Sequence, residues 1–256
     1  MDIPKNKKIY FASDQHFGAP SLKSSKERET HFLRWLNKIQ KDAFALFLLG
    51  DLFDFWFEYN KVVPKGFVRV LGKLANFTDD GISVHFFVGN HDLWMKDYFE
   101  TELNISVHLN PKVFVFNSKN FFLGHGDGLG PKDNGYKLIK KIFTNNLAQR
   151  AFRTLHPDLG ISLGQYFSLR NKLNSSKKKS TFVGEDNEKL ATYARQKLKQ
   201  KYFDFFIFGH NHLPSEISLD SKSKYINLGE WISHFTYASF NGMKLELKKW
   251  GNKQND

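Results

Sequence analysis

The chain has 256 residues, 41% of them hydrophobic, with 27 Phe, no Cys, and 38 Lys and Arg against 26 Asp and Glu for a formal charge of +12. That composition supports one sizeable α/β domain with an insertion, and it excludes global disorder, disulfides and thiolate metal sites. No uninterrupted apolar stretch approaches the roughly 18 residues that cross a bilayer; the positive charge points to phosphate-bearing partners or to a plain solvated surface.

In chain order, the basic segment Met1 to Lys8 is separated from Asp14 only by Ile9 to Ser13. That is too short for the apolar core of a secretory signal, so a soluble cytoplasmic protein is expected. Ile9-Tyr-Phe-Ala-Ser13 reads as a strand running into Asp14-Gln-His16. Ser24 to Gln40 places Phe32, Leu33, Trp35, Leu36 and Ile39 at helical spacing. The strand Ala43-Phe-Ala-Leu-Phe-Leu-Leu49 follows and ends in Gly50-Asp51-Leu-Phe-Asp54, which gives a β-α-β start. Gly66 to Asn76 is the next helix, and the strand Val84 to Val88 delivers Gly89-Asn90-His91-Asp92. Val113 to Phe116 and Phe121 to Leu123, separated by Asn-Ser-Lys-Asn, are expected to pair as a hairpin that carries Gly124-His125.

Between His125 and His210 the character changes. Gly130 to Arg153 is helical in pattern and mixes apolar with basic residues. Asn174 to Ser180 is a basic polar break, and Glu185 to Lys201 is a further helix. Phe203-Asp-Phe-Phe-Ile-Phe208 then runs into Gly209-His210-Asn211-His212. Lys224 to Gly229 reads as a strand, and Asn241-Gly242 marks a hairpin between Thr236 to Phe240 and Met243 to Lys248.

Five apolar runs therefore end in Asp, Asn or His, four of them through Gly. In an open α/β sheet ligands gather at the carboxyl ends of strands. Carboxylate, carboxamide and imidazole groups together suit hard or borderline divalent ions, and a shared carboxylate can bridge two of them. A single His at a strand end is as readily a hydrogen-bonded structural residue; the joint placement makes these ligand candidates. His31, His85, His108, His156 and His234 lack that placement and are expected to be structural or surface residues.

The ordered blocks Asp14-x-His16, Gly50-Asp51-x-x-Asp54, Gly89-Asn90-His91-Asp92, Gly124-His125 and Gly209-His210-x-His212 resemble the calcineurin-like metallophosphoesterases, across most of the chain. The resemblance implies a four-layer α/β/β/α sandwich, a single domain over residues 1–256 with a helical cap insertion at about 130–200. It also implies a centre of two divalent ions, taken as Mn2+. Asp14, His16 and His212 would hold one ion, Asn90, His125 and His210 the other, and Asp51 would bridge them. His91 would act beside the leaving oxygen with Asp92 orienting its ring, while Asp54 and Asp127 would support the ligands from behind.

The stretch His125 to Tyr136, the later Asn174-Ser-Ser-Lys177 and Gly-His210-Asn-His212-x-Pro214 are similar to the UDP-2,3-diacylglucosamine pyrophosphatase family of lipid A synthesis. This implies hydrolysis of that acylated sugar nucleotide to UMP and 2,3-diacylglucosamine 1-phosphate, with the cap holding the acyl chains. Substrate contacts are implied at Asn90, His91, Asp133, Asn174, Lys177 and His210, with the protein peripheral on the inner face of the cytoplasmic membrane. One position departs from the pattern: familiar members carry Arg after the metal-binding Asn, and this chain carries His91. Arg bridges a diphosphate bidentately and His does not. A soluble nucleotide or phosphodiester therefore stays open as the substrate, as does an inactive scaffold of the same fold, although all seven ligand positions are filled. No nucleic-acid recognition motif is present, and no specific nucleic-acid partner is expected. Phe55 to Tyr59 is either a lip for acyl chains or core.

Overall fold

The computed structural model describes residues 1–20, 24–129, 140–176 and 188–251. β1 (Lys8–Ala12), β2 (Ala43–Leu48), β3 (Ser83–Phe87) and β4 (Ser106–His108) lie side by side and parallel. β10 (Thr236–Phe240) and β11 (Leu245–Lys249) extend that sheet antiparallel beyond β1, giving the order β11-β10-β1-β2-β3-β4. A second sheet has the order β5-β6-β7-β9-β8, from β5 (Lys112–Phe116), β6 (Lys119–Leu123), β7 (Phe205–Phe208), β8 (Ser215–Ser218) and β9 (Lys224–Asn227).

The apolar runs are continuous because both faces of their strands are buried. Ile9, Phe11, Ala45, Phe47, Leu123, Ile207 and Ile226 meet between the sheets. The alternate residues Tyr10, Ala12, Leu46 and Leu48 face outward, against α1 (Ser25–Ile39) and α2 (Val68–Asp79). On the far side Phe206, Phe208 and Tyr225 pack on Leu190, Ala191 and Ala194 of a helix at Lys189–Leu198. The result is the expected α/β/β/α layering. Burying each Phe, Leu or Ile in these layers stabilises the fold by about 1.5–3 kcal/mol. α1 starts on a capping box, Ser24 with Glu27, worth about 1 kcal/mol.

Several local expectations change. A short helix, α3 (Tyr98–Thr101), and the strands β4 and β8 carry too few residues to show a period in the sequence. The turn between β5 and β6 is only Asn117-Ser118, both at positive φ, because the strands are longer than their apolar parts. Asn241-Gly242 does sit in a hairpin, but Phe240 pairs with Leu245 and leaves a four-residue loop. There the Asn241 side chain accepts the Met243 and Lys244 N–H groups and replaces a two-residue turn.

The insertion differs most. Residues 140–143 are helical, and the helix expected to run on to Arg153 breaks at Asn145. That side chain caps a new helix, α4 (Asn146–Arg153). α5 (Pro157–Ser176) follows. Its apolar residues occur on every side, so no stripe reveals it, and it continues through Asn174 to Ser176 where a break was expected. The helix expected at 185–201 is α6 (Lys189–Leu198), capped by Glu188; it forms the fourth layer of the sandwich instead of part of the cap. Among the described residues no helix is long and apolar enough to cross a membrane.

Candidate metal centre

The parallel strands deliver their carboxyl ends to one rim. Beyond the strands the loops stay knitted in pairs. Asp14 N–H donates to the Gly50 carbonyl at 3.0 Å and His16 N–H to the Asp51 carbonyl at 2.9 Å. In the second sheet Gly209 N–H donates to the His125 carbonyl at 2.9 Å. Asp14, His16, Asp51, His210 and His212 all have φ between 47° and 68°. Side-chain-bearing residues rarely adopt this left-handed region, and clusters of them occur where packing holds strain at a functional site. The glycines permit close approach: a Cβ on Gly89 would fall on the Asp51 carboxylate, and one on Gly209 on Ser13 and Asp14.

Two groups of side chains form around Asp51. In the first, ligand atoms of Asp14, His16, Asp51 and His212 all lie within 4.8 Å of one another. His16 Nε2 is 3.1 Å from His212 Nε2, and His212 Nε2 is 3.2 Å from Asp14 Oδ1. In the second, Asn90 Oδ1 lies 3.2 Å from His125 Nε2 and 2.9 Å from His210 Nδ1. Asp51 Oδ2 links the groups, 3.6 Å from His16 Nε2 and 3.4 Å from His125 Nε2.

The donor chemistry fits divalent ions. Asp14 Oδ1 is buried and makes no well-aligned hydrogen bond, facing the His212 and His16 ring nitrogens at 3.2 and 3.7 Å, an arrangement that a divalent cation between these groups would satisfy. His125 Nδ1 donates to the Leu49 carbonyl at 2.7 Å, which fixes the tautomer and frees Nε2 as a ligand. Burial would raise the Asp51 carboxyl, but the adjoining His125, His91 and His16 rings outweigh it and hold the group well below the usual carboxylate range. Asp14 is likewise lowered: the facing His16 and His212 rings overcome the effect of burial. Burial works against charge on His125, and the Asp51 carboxylate more than reverses it. His210 is pushed down to about 4, first by burial and then by the adjoining His125.

The surrounding shell is less as expected. Asp92 does not orient the His91 ring. Its two oxygens accept the Gly89 and Leu52 N–H groups at 2.6 and 3.1 Å, stitching the loops after β3 and β2 together. The ring is held through Asp54: His91 Nδ1 donates to the Asp54 carbonyl at 2.8 Å, and Asp54 Oδ1 is 3.5 Å from His16 Nδ1. Asp127 does not stay behind the ligands alone; it pairs with Lys140 Nζ at 2.5 Å at the start of the described cap. Arg28 was missed. It is buried in α1 and donates through Nη2 to the His16 and Ala19 carbonyls at 3.1 and 2.8 Å, bracing the Asp14-His16 loop. Its place at i, i+4, i+7 with Phe32 and Trp35 was the available signal, since an Arg in an apolar stripe needs buried acceptors.

The calcineurin-like phosphoesterase family model matches residues 7–214. The chain belongs to the calcineurin-like phosphoesterase family. Among curated relatives of this phosphoesterase, a UDP-2,3-diacylglucosamine hydrolase of Porphyromonas gingivalis is 35% identical over 253 residues, covering 94% of this chain and 97% of the relative. Enzymes of the same name from Photorhabdus laumondii and Haemophilus influenzae are 29% and 25% identical, covering 78% and 90% of this chain and 82% and 92% of their own length.

Beside the phosphoesterase metal centre opens a cavity of about 570 Å³, whose wall includes Asn90, His91, Phe55, Trp94, Phe152 and Leu163. Phe55 is thus part of a lip, while Trp56 and Phe57 are buried; Trp56 also reaches the cavity wall. All seven expected metal ligands come together, and His91 adjoins them. Asp133 and Lys177 lie outside the described residues. Asn174 falls in the last two turns of α5, and its side chain is outside them too.

Proposed function

We propose that this chain hydrolyses the pyrophosphate bond of UDP-2,3-diacylglucosamine to UMP and 2,3-diacylglucosamine 1-phosphate, with two Mn2+ ions as its native metals. The observation that carries this reading is the apolar cavity beneath the cap, opening directly onto Asn90 and His91. An apolar pocket of that size beside a diphosphate-cleaving centre suits a substrate that joins acyl chains to a phosphate. Two divalent ions held by the seven ligands supply polarisation of the phosphoryl oxygens and activation of water. His91, with its proton on Nδ1 held by Asp54, leaves Nε2 for the substrate, where in its protonated form it stabilises charge on the leaving oxygen. Burial and the facing His16 lower its pKa, and the Asp51 and Asp54 carboxylates counter that in part. Asp133, Asn174 and Lys177 are proposed as further substrate contacts.

The same cap supports a reading of membrane contact. Leu147, Leu159, Ile142 and Tyr166 are each more than half exposed, with Lys141, Arg150 and Arg170 exposed on the same insertion. Apolar side chains flanked by cations suit an anionic bilayer surface, and we place the protein peripherally on the inner face of the cytoplasmic membrane. His91 in place of Arg supports a second reading, hydrolysis of a soluble phosphodiester. Mass spectrometry of Mn2+-loaded protein with UDP-2,3-diacylglucosamine in detergent separates the two. Release of UMP and the acylated sugar phosphate, abolished by EDTA, is expected. Cleavage of a chromogenic phosphodiester with none of the acylated substrate would overturn the first reading in favour of the second.

A further inference from the structure

α5 turns Gly160, Gly164 and Ser168, spaced by four residues and so on one helix face, toward the loop that follows Asp51. A Cβ on Gly160 would fall on the Tyr59 hydroxyl and one on Gly164 on the Phe55 ring. The bare backbone therefore comes close enough for Ser168, itself buried, to reach the metal-centre side of the cavity. Ser168 Oγ donates to Asp54 Oδ2 at 2.9 Å and lies 3.3 Å from His91 Nδ1. The Asp54 carbonyl, 2.8 Å from the same nitrogen, can only accept, so Nδ1 carries the ring proton.

We propose that Ser168 is a positioning residue for His91, contributed by the cap instead of the metal-binding loops. Through the Asp54 carboxylate and its own contact with the ring it holds His91 with Nε2 toward the substrate. Seating of the cap helix and alignment of His91 then become one event. This rests on His91 acting on the substrate as proposed above.

The test compares Ser168→Ala and Ser168→Thr with Gln165→Ala, which alters the solvent side of the same helix. Each is assayed with Mn2+ on both the acylated sugar nucleotide and bis(p-nitrophenyl) phosphate, with metal content and melting temperature recorded. Ser168→Ala is expected to keep its metal and lower kcat about tenfold, the equivalent of one lost hydrogen bond, with KM within about twofold. Ser168→Thr restores the rate, and Gln165→Ala leaves it unchanged. In a His91→Ala background, Ser168→Ala costs nothing further. The proposal is overturned by an unchanged kcat in Ser168→Ala, by a loss confined to KM or metal content, or by a full additional loss in the His91→Ala background. It is equally overturned if Gln165→Ala loses as much. Should Ser168→Ala fail to fold, Ser168→Cys, nearly isosteric with a weak donor, carries the same expectation. A wild-type protein that cleaves only the diester refutes the substrate reading while Ser168 is still judged on that diester.

Discussion

Replacing Asp51 by Asn tests the shared-carboxylate arrangement with little disturbance of the fold. Asp51 Oδ1 accepts the His91 N–H at 2.9 Å, and an amide oxygen can do the same. What is lost is the charge on Oδ2, which lies between His16 and His125 at 3.6 and 3.4 Å. A carboxylate and a divalent ion about 4 Å apart attract by about 8 kcal/mol at an effective dielectric of 20. A neutral amide is less costly to bury and still offers an oxygen to the ion, which returns more than half of that and leaves about 3 kcal/mol, or about a hundredfold weaker binding, for each of two ions. Equilibrium dialysis against graded Mn2+, read by elemental analysis, measures both affinities. Both are expected to fall together, with turnover lost at metal levels that saturate the wild type. Two ions retained at wild-type affinity, or one weakened and the other untouched, would refute the bridging role.

Other expectations follow from the same geometry. His91→Ala should retain both ions and lose about a hundredfold in kcat, in the range of a positioned acid-base group; an unchanged kcat removes its catalytic role. Leu163→Asp places a carboxylate in the cavity wall, and kcat/KM for the acylated substrate should fall about 10–100-fold while a simple diester is unaffected, since a lost apolar contact is worth about 1.5–3 kcal/mol. Equal loss on both substrates would take the acyl chains out of that cavity. His85 and His108, 3.2 Å apart at the edge of the first sheet, are each pushed down to about 4 by burial, aided by Lys112 and, for His85, by His108. Below about pH 6.5 the unfolded chain then binds more protons than the folded one, so stability present above that pH declines toward pH 4. With both rings part-solvated the slope for the pair is about 1 kcal/mol per pH unit. Urea midpoints across pH 7 to 4.5 should show it and His108→Gln should flatten it; parallel curves would sink the assignment.

The sequence by itself determined the layered α/β architecture and which acidic, amide and imidazole side chains gather at its rim. Both follow from short-range signals: runs such as Ala43 to Leu49 are apolar throughout because both strand faces are buried, and an Asp, Asn or His, reached through Gly in four of the five runs, marks the rim. Tertiary structure alone decided what surrounds the ligands. Asp92 follows His91 directly, yet its carboxylate is claimed by the Gly89 and Leu52 N–H groups, while Asp54, far away in the chain, takes the ring. The cap was the least legible part. α5 has apolar residues on every side and shows no stripe, and its Gly160, Gly164 and Ser168 face matters through how little it occupies. Their role appears only once Phe55, Tyr59 and Asp54 are packed against them, because the contact is made between segments about a hundred residues apart.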